Sequence, residues 1–336
     1  MILPYDKNSI EILESQITIN IVNLSFLCGK TYGKFAPYNE RLKTISKHIN
    51  THIRGINKPI VINAIGEGVI ILQLVKDIIP MLKCDINKIT IIGSVEDYSI
   101  LKDYNYIVDY NGTCNWYNFY TELQKNNIDW KNIQINKALL SLTNRPNVSR
   151  AMITKYLLDN FKNDSLVSFG LNQVNTHTQS VLTKEMYPYE LPIVIDKNVS
   201  TLESQHLPPN DIIHQCLVQI VNETLEHNDN YIFVSEKSFK VFAWHQLPIF
   251  VTVQGHVQKI RELGFDVFDD IFDGHLYDKE SFSNTHTLKI FSTIKKFMDT
   301  YPTLEQQRDL RNKLWTRIEA NNSHLAKLVA QSHTIL

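Results

Sequence analysis

Cysteine is scarce and scattered in this chain. Cys28, Cys84, Cys114 and Cys216 form no CxxC pair, and none has a histidine at ligand spacing. That pattern argues against a structural zinc site or a paired redox motif, and it fits reduced, buried thiols in a cytosolic protein. An excess of one charge is also missing: Lys+Arg 34 against Asp+Glu 35 gives a formal net charge of -1. Without a global positive field, a nucleic-acid backbone would need a local patch. No apolar run approaches the roughly 20 residues of a membrane span. The opening stretch MILPYDKNSIEILES carries charges within its first seven residues, unlike a signal peptide. The expectation is therefore a cytoplasmic protein without a membrane span. GxxxxGK[ST], HExxH and GxSxG are all absent, which disfavours a P-loop nucleotidase, a zincin and an α/β-hydrolase.

What is present is a regular alternation of elements over 336 residues, enough for two domains that each bury a core. In the first part, ITINIVNLSFL (17–27), PIVINAI (59–65), ITIIGS (89–94) and YIVDY (106–110) read as buried strands. Residues 39–54 have Leu42, Ile45, Ile49 and Ile53 at helical spacing, and VIILQLVKDIIPML reads as a helix with Pro80 in its last turn. A short helix is expected over 95–103. In the second part KALLSL (137–142), SLVSFG (165–170), YIFV (231–234) and LPIFVTV (247–253) are strands. Helices are expected over 148–161, 236–246 and 256–263, and 212–222 reads as helix or strand. Residues 171–210 read as a long irregular connection, and 303–332 as one amphipathic helix. Strands alternating with helices imply a parallel sheet, so the expected fold is α/β with two Rossmann-like lobes and a long C-terminal helix. The division expected is 1–136, 137–300 and 301–336, the last packing across the lobes.

Three strand-to-helix junctions carry candidate chemistry. In Val234-Ser235-Glu236-Lys237-Ser238-Phe239-Lys240, Ser235 is placed to cap a helix whose dipole and free amides favour an anion. Lys237 adds a full positive charge, and a carboxylate at Glu236 suits two ribose hydroxyls. An ordinary capped helix is the competing reading. In Asn144-Arg145-Pro146-Asn147-Val148-Ser149-Arg150, two arginines bracket a turn, and the guanidinium fork suits a diphosphate. Solvated surface arginines are the alternative. Gly66-Glu67-Gly68 is no dinucleotide fingerprint, because Ile71 stands where a third glycine is needed. Glu67 still lies at the carboxyl end of a strand, a place favoured for catalytic groups, although simple turn chemistry competes. Asp269, Asp270 and Asp273 form an acidic run that suits either a cation or a solvated loop. His245 and His256 fall in no ligand pattern and read as packing or surface residues.

Residues 222–278 resemble the C-terminal donor lobe of GT-B glycosyltransferases of the fucosyltransferase and exostosin kind. The likeness is greatest to glycosyltransferase-like proteins of phages, large viruses and marine microbes. It rests on Glu223, Ser235-Glu236-Lys237, Gly255, Gly264-Phe265, Phe268, Asp273 and Tyr277-Asp278. NRPNVSR (144–150) is similar to the arginine-bearing turn before that lobe. One departure is Gly274-His275, where an acidic residue often follows the aspartate.

The resemblance implies transfer of a sugar from a nucleoside-diphosphate sugar to an acceptor hydroxyl, with inversion. Glu236 would bind the ribose and Lys237 the diphosphate. Arg145 or Arg150 would offset charge on the departing nucleotide. The donor set implied is Glu223, Ser235, Glu236, Lys237, Lys240 and Gly255, with Glu67 as candidate base. The acceptor is unspecified: a glycan, a protein, a small molecule or a modified nucleic-acid base. No DxD occurs, so the expectation is a metal-independent reaction that needs no cofactor beyond the donor. Two rivals remain at the level of sequence. One is a nucleotide-sugar-modifying enzyme such as an epimerase, and the other a non-catalytic nucleotide- or glycan-binding protein on a degenerate fold of the same kind.

Overall fold

The computed structural model describes residues 10–13, 15–21, 38–64, 69–93, 95–96, 103–108, 129–144, 146–171, 176–195, 215–223, 232–281 and 283–332. The chain is mixed α/β and divides into two compact units, Met1–Thr113 and Cys114–Leu336.

In the first unit the strands β1 (Ile10–Ile12), β2 (Ile17–Asn20), β3 (Ile60–Ala64), β4 (Ile89–Gly93) and β5 (Asn105–Val108) form a sheet in the order β1-β2-β3-β4-β5. β1 runs antiparallel to β2, and the other neighbours are parallel. Ile19, Ile62 and Ile91 lie side by side in register and are fully buried. The helix α1 (Tyr38–Ile53) buries Leu42, Ile45, Ile49 and Ile53, the stripe expected from their spacing. α2 (Val69–Ile78) gives way to a 3-10 turn at Ile79–Met81, because Pro80 has no amide to continue the helix. Val95–Glu96 is a short strand where a helix over 95–103 was expected. The β-branched Val95 suits extended backbone, and 97–102 lie outside the described residues.

The second unit carries β6 (Lys137–Thr143), β7 (Ser165–Phe169), β8 (Cys216–Asn222) and β9 (Leu247–Val251), all parallel, in the order β9-β8-β6-β7. β8 and β9 are buried at every position, as strands covered on both faces are. The chain passes from β6 outward to β7, then returns past β6 to β8 and continues to β9. The two directions part between β6 and β8, the topological switch point where open α/β sheets hold ligands beyond the strands' carboxyl ends.

The helices of this unit are α3 (Val148–Phe161), α4 (Thr176–Glu185), α5 (Glu236–Ala243), α6 (His256–Glu262), α7 (Asn284–Thr300) and α8 (Leu304–Ser332). Two depart from the sequence reading. α4 lies inside the stretch taken as irregular, and it buries only Leu182, so no apolar stripe marks it. Leu182 joins Met186, Ala151 and Phe169 in a small core. α7 had not been singled out either. α8, 29 residues long, is the expected C-terminal helix and buries Leu310, Leu314, Ile318, Leu325 and Val329. Its Arg308 donates to Ile135 O, and its Arg311 donates to the carbonyls of Trp130 and Lys131. Residues 129–136, counted with the first lobe in the sequence division, thus belong to the second unit. No helix among the described residues is long and apolar enough to cross a membrane.

Candidate functional site

At the carboxyl end of the second sheet, polar side chains replace the aliphatic core. Asn222, the last residue of β8, donates its amide to Ser141 Oγ at 3.1 Å and Thr143 Oγ1 at 3.2 Å on β6. The next residue, Glu223, is fully buried, and its amide donates to Val251 O of β9 at 3.0 Å. Its carbonyl accepts from the guanidinium of Arg150. Arg150 stands in the first turn of α3, where Asn147 caps the helix by accepting from its amide at 2.9 Å. Arg150 is itself buried, 7% exposed, so it spans the switch point from inside and is not one of the solvated arginines of the competing reading. Arg145 lies outside the described residues, as does Glu67.

Ser235 caps α5, its hydroxyl accepting from Lys237 N at 3.2 Å. Glu236 and Lys237 follow as the first two helical residues. Lys237 Nζ lies 2.8 Å from Glu236 Oε1 and 3.5 Å from Ser235 Oγ. Burial pushes the Glu236 carboxyl up, but the charges of Lys237 and Lys240 and the hydrogen bond from Lys237 outweigh this and bring it down to about 2. Burial dominates at Lys240 and lowers it to about 8, against the attraction of Glu236 and Glu223. The sequence reading assumed free amides at this helix start. In the structure, Lys237 N is held by Ser235 Oγ, and Ser238 N turns back to Ser235 O at 3.2 Å. The pull on an anion here therefore comes from the dipole and the lysine charges.

Beneath the helix start lies a chain of fully buried polar groups. Glu223 Oε1 accepts from Ser235 N at 3.3 Å and from Ser238 Oγ at 2.6 Å. Ser238 Oγ in turn lies 2.9 Å from His256 Nε2. Glu223, expected to touch the donor, has its carboxylate turned inward to this chain. Sequence reasoning missed Ser238 and gave His256 no role, since the two are 18 positions apart and no spacing rule joins them. Gly255, the last of the expected donor residues, precedes His256 in left-handed backbone (φ 80) and its amide donates to Asp278 O at 3.0 Å. The Asp278 carboxylate accepts from Val257 N at 2.9 Å and Gln258 N at 3.0 Å, capping α6. Tyr277 is buried, its hydroxyl accepting from Phe250 N at 3.0 Å. Tyr277 and Asp278, two of the residues on which the resemblance rests, thus have structural partners.

The acidic run is paired throughout. Asp269 takes Arg261 at 2.7 Å and 2.8 Å and His275 at 3.1 Å, Asp270 takes Arg317 at 2.8 Å, and Asp273 takes Lys296 at 2.6 Å. Each carboxylate that would serve a cation already faces a basic side chain. His245 packs between Trp130 and Trp315, with ring centroids at 4.7 Å and 5.4 Å, packing being one of the two roles expected for it. No protein-family model, curated protein or solved structure matches the chain.

Proposed function

We propose that the chain is a glycosyltransferase of the GT-B kind. It would move a sugar from a nucleoside-diphosphate donor to an acceptor hydroxyl, with its donor site at the start of α5. The observation that carries this reading is an ionised Glu236 beside Lys237 at a Ser235-capped helix start, at the carboxyl end of a parallel sheet. Carboxylate, cation and helix dipole together complement a ribose and a diphosphate. On donor binding, Glu236 turns from Lys237 to the ribose hydroxyls, and Lys237 Nζ turns to the phosphate oxygens. The bond from the anomeric carbon to the diphosphate oxygen breaks as the acceptor oxygen bonds to that carbon from the opposite face. Lys237, Lys240 and the dipole stabilise the charge gathering on the leaving diphosphate. A carboxylate base takes the acceptor proton, and Glu67 is the candidate. The reaction needs no metal ion.

The internal closure of the first-turn amides favours a second reading, a nucleotide- or glycan-binding protein without turnover. Donor hydrolysis across a panel of nucleotide sugars, with and without a chelator, separates the two. The enzyme reading predicts release of one nucleoside diphosphate per sugar, unchanged by chelation. Binding without release supports the binder, and activity lost on chelation and restored by Mg²⁺ or Mn²⁺ overturns metal independence.

A further inference from the structure

We propose that Ser238 and His256 are positioning residues of the donor site, which act through Glu223 to hold the start of α5 in its ligand-binding geometry. The inference rests on the donor-site reading above and concerns groups that no ligand touches.

Glu223, Ser238 and His256 are each 0% exposed. A buried carboxyl group is costly unless hydrogen bonds and nearby charge offset the lost water. Here one oxygen, Oε1, accepts both Ser235 N and Ser238 Oγ. The hydroxyl has a single proton. Since it goes to Glu223, Ser238 Oγ faces His256 as an acceptor, and Nε2 of the imidazole must carry a hydrogen. Burial holds the ring below its usual range, against the pull of Glu223 and Asp278, which favours the neutral ring with its hydrogen on Nε2. Nδ1 has no hydrogen-bond partner among the described residues. One tautomer alone satisfies the chain His256 Nε2–H to Ser238 Oγ–H to Glu223 Oε1.

The ends of that chain fix its purpose. Glu223 is gripped through its backbone by Val251 O of β9 and by Arg150 of α3. Its side chain grips Ser235, whose own hydroxyl caps α5 beneath Lys237. His256 is anchored at the start of α6, where Asp278 holds the next two amides. Through Ser238, the helix start carrying Ser235, Glu236 and Lys237 is set against the ends of β8 and β9. Removing the Ser238 hydroxyl takes one of two hydrogen bonds from Glu223 Oε1 and loosens the helix start. A shift of a few tenths of an ångström at Ser235 moves the carboxylate–lysine pair that the donor must meet.

The test is calorimetric titration of the full chain with the uridine, guanosine, adenosine and cytidine diphosphates. Ser238→Ala removes one oxygen and is the variant least apt to disturb folding. Its affinity for the diphosphate that wild type binds should fall at least ~10-fold, the equivalent of one lost hydrogen bond of about 1.4 kcal/mol. His256→Leu should do the same. Ser238→Thr and His256→Gln, which keep the hydroxyl and an Nε2 donor, should return to within about 3-fold of wild type. Titrations run well below each melting midpoint separate positioning from mere loss of fold. ¹⁵N chemical shifts of His256 in the wild-type protein supply an independent readout, and they should report the neutral Nε2–H form. Wild-type binding with equal affinity in Ser238→Ala overturns the proposal and leaves the donor site standing. An Nδ1–H tautomer overturns the hydrogen-bond chain. Failure of wild type to bind any of the four removes the donor site itself, and the positioning role with it.

Discussion

Glu236, Lys237 and Lys240 lie within two turns of one helix, and each sets the charge of its neighbours. Glu236 has a folded-state value depressed to about 2 from 4.5. Its contribution to stability is thus present above 4.5 and lost as pH falls through about 2. Lys240 runs the other way, with a value lowered from 10.5 to about 8 by burial. Between those values the unfolded chain holds more protons than the folded one, so this group makes stability rise with pH across that window. In the folded protein its charge, which on the donor-site reading attracts the diphosphate, is lost at about pH 8. Diphosphate affinity should therefore fall several-fold between about pH 7 and about pH 9, above the second phosphate ionisation near 6. Lys240→Met should bind more weakly at neutral pH and lose most of that dependence. Calorimetry at three pH values checks both. Arg150, one of the two arginines expected to offset charge on the departing nucleotide, has a structural share through its contact with Glu223 O. Arg150→Ala leaves that buried carbonyl without its guanidinium partner and should cost about 1–3 kcal/mol in urea unfolding.

At the scale of elements, the sequence was most legible where caps and periodicity agree. α3 spans Val148–Phe161, the stretch read as a helix, and α5 begins where Ser235 directs it. α4 was not legible, because a ten-residue polar helix that buries one leucine leaves no stripe to read. The end of α6 shows how a single glycine closes an element. Gly264 has φ +92, and a Cβ there would lie 2.8 Å from His324 Nε2 of α8, which itself bonds Leu263 O at 2.7 Å. Gly264→Ala should cost about 2–3 kcal/mol by backbone strain and displacement of that ring. Gly55 also has positive φ (+74), but nothing lies within 4 Å of its added Cβ. Gly55→Ala should cost only about 1 kcal/mol, the strain term alone. Paired urea melts of the two variants test whether the His324 contact adds to strain.

At the scale of the whole molecule, alternation of strand and helix was enough to indicate parallel sheets. The order β9-β8-β6-β7 was not readable, since β6 and β8 pair residues that lie 79 positions apart, as Leu139 with Val218. The site inherits that limit: Ser235 to Lys237 is a local motif, whereas its support by Glu223, Arg150 and His256 exists only once distant segments meet. Every described residue of the proposed donor site lies in Cys114–Leu336, together with its own sheet and α8. A fragment of residues 114–336 should therefore melt cooperatively and keep nucleoside-diphosphate binding, yet transfer no sugar if Glu67 supplies the base. Circular dichroism and a transfer assay check the two halves of that expectation. The most direct measurement for the central claim is calorimetric titration of wild type, Glu236→Ala and Lys237→Ala with the same four nucleoside diphosphates and their parent nucleosides. The donor-site reading predicts that each variant loses roughly 1.5–3 kcal/mol of diphosphate affinity, the worth of charged hydrogen bonds, with Lys237→Ala nearly silent toward the nucleoside. Diphosphate binding by both variants at wild-type strength would contradict it and put the donor elsewhere.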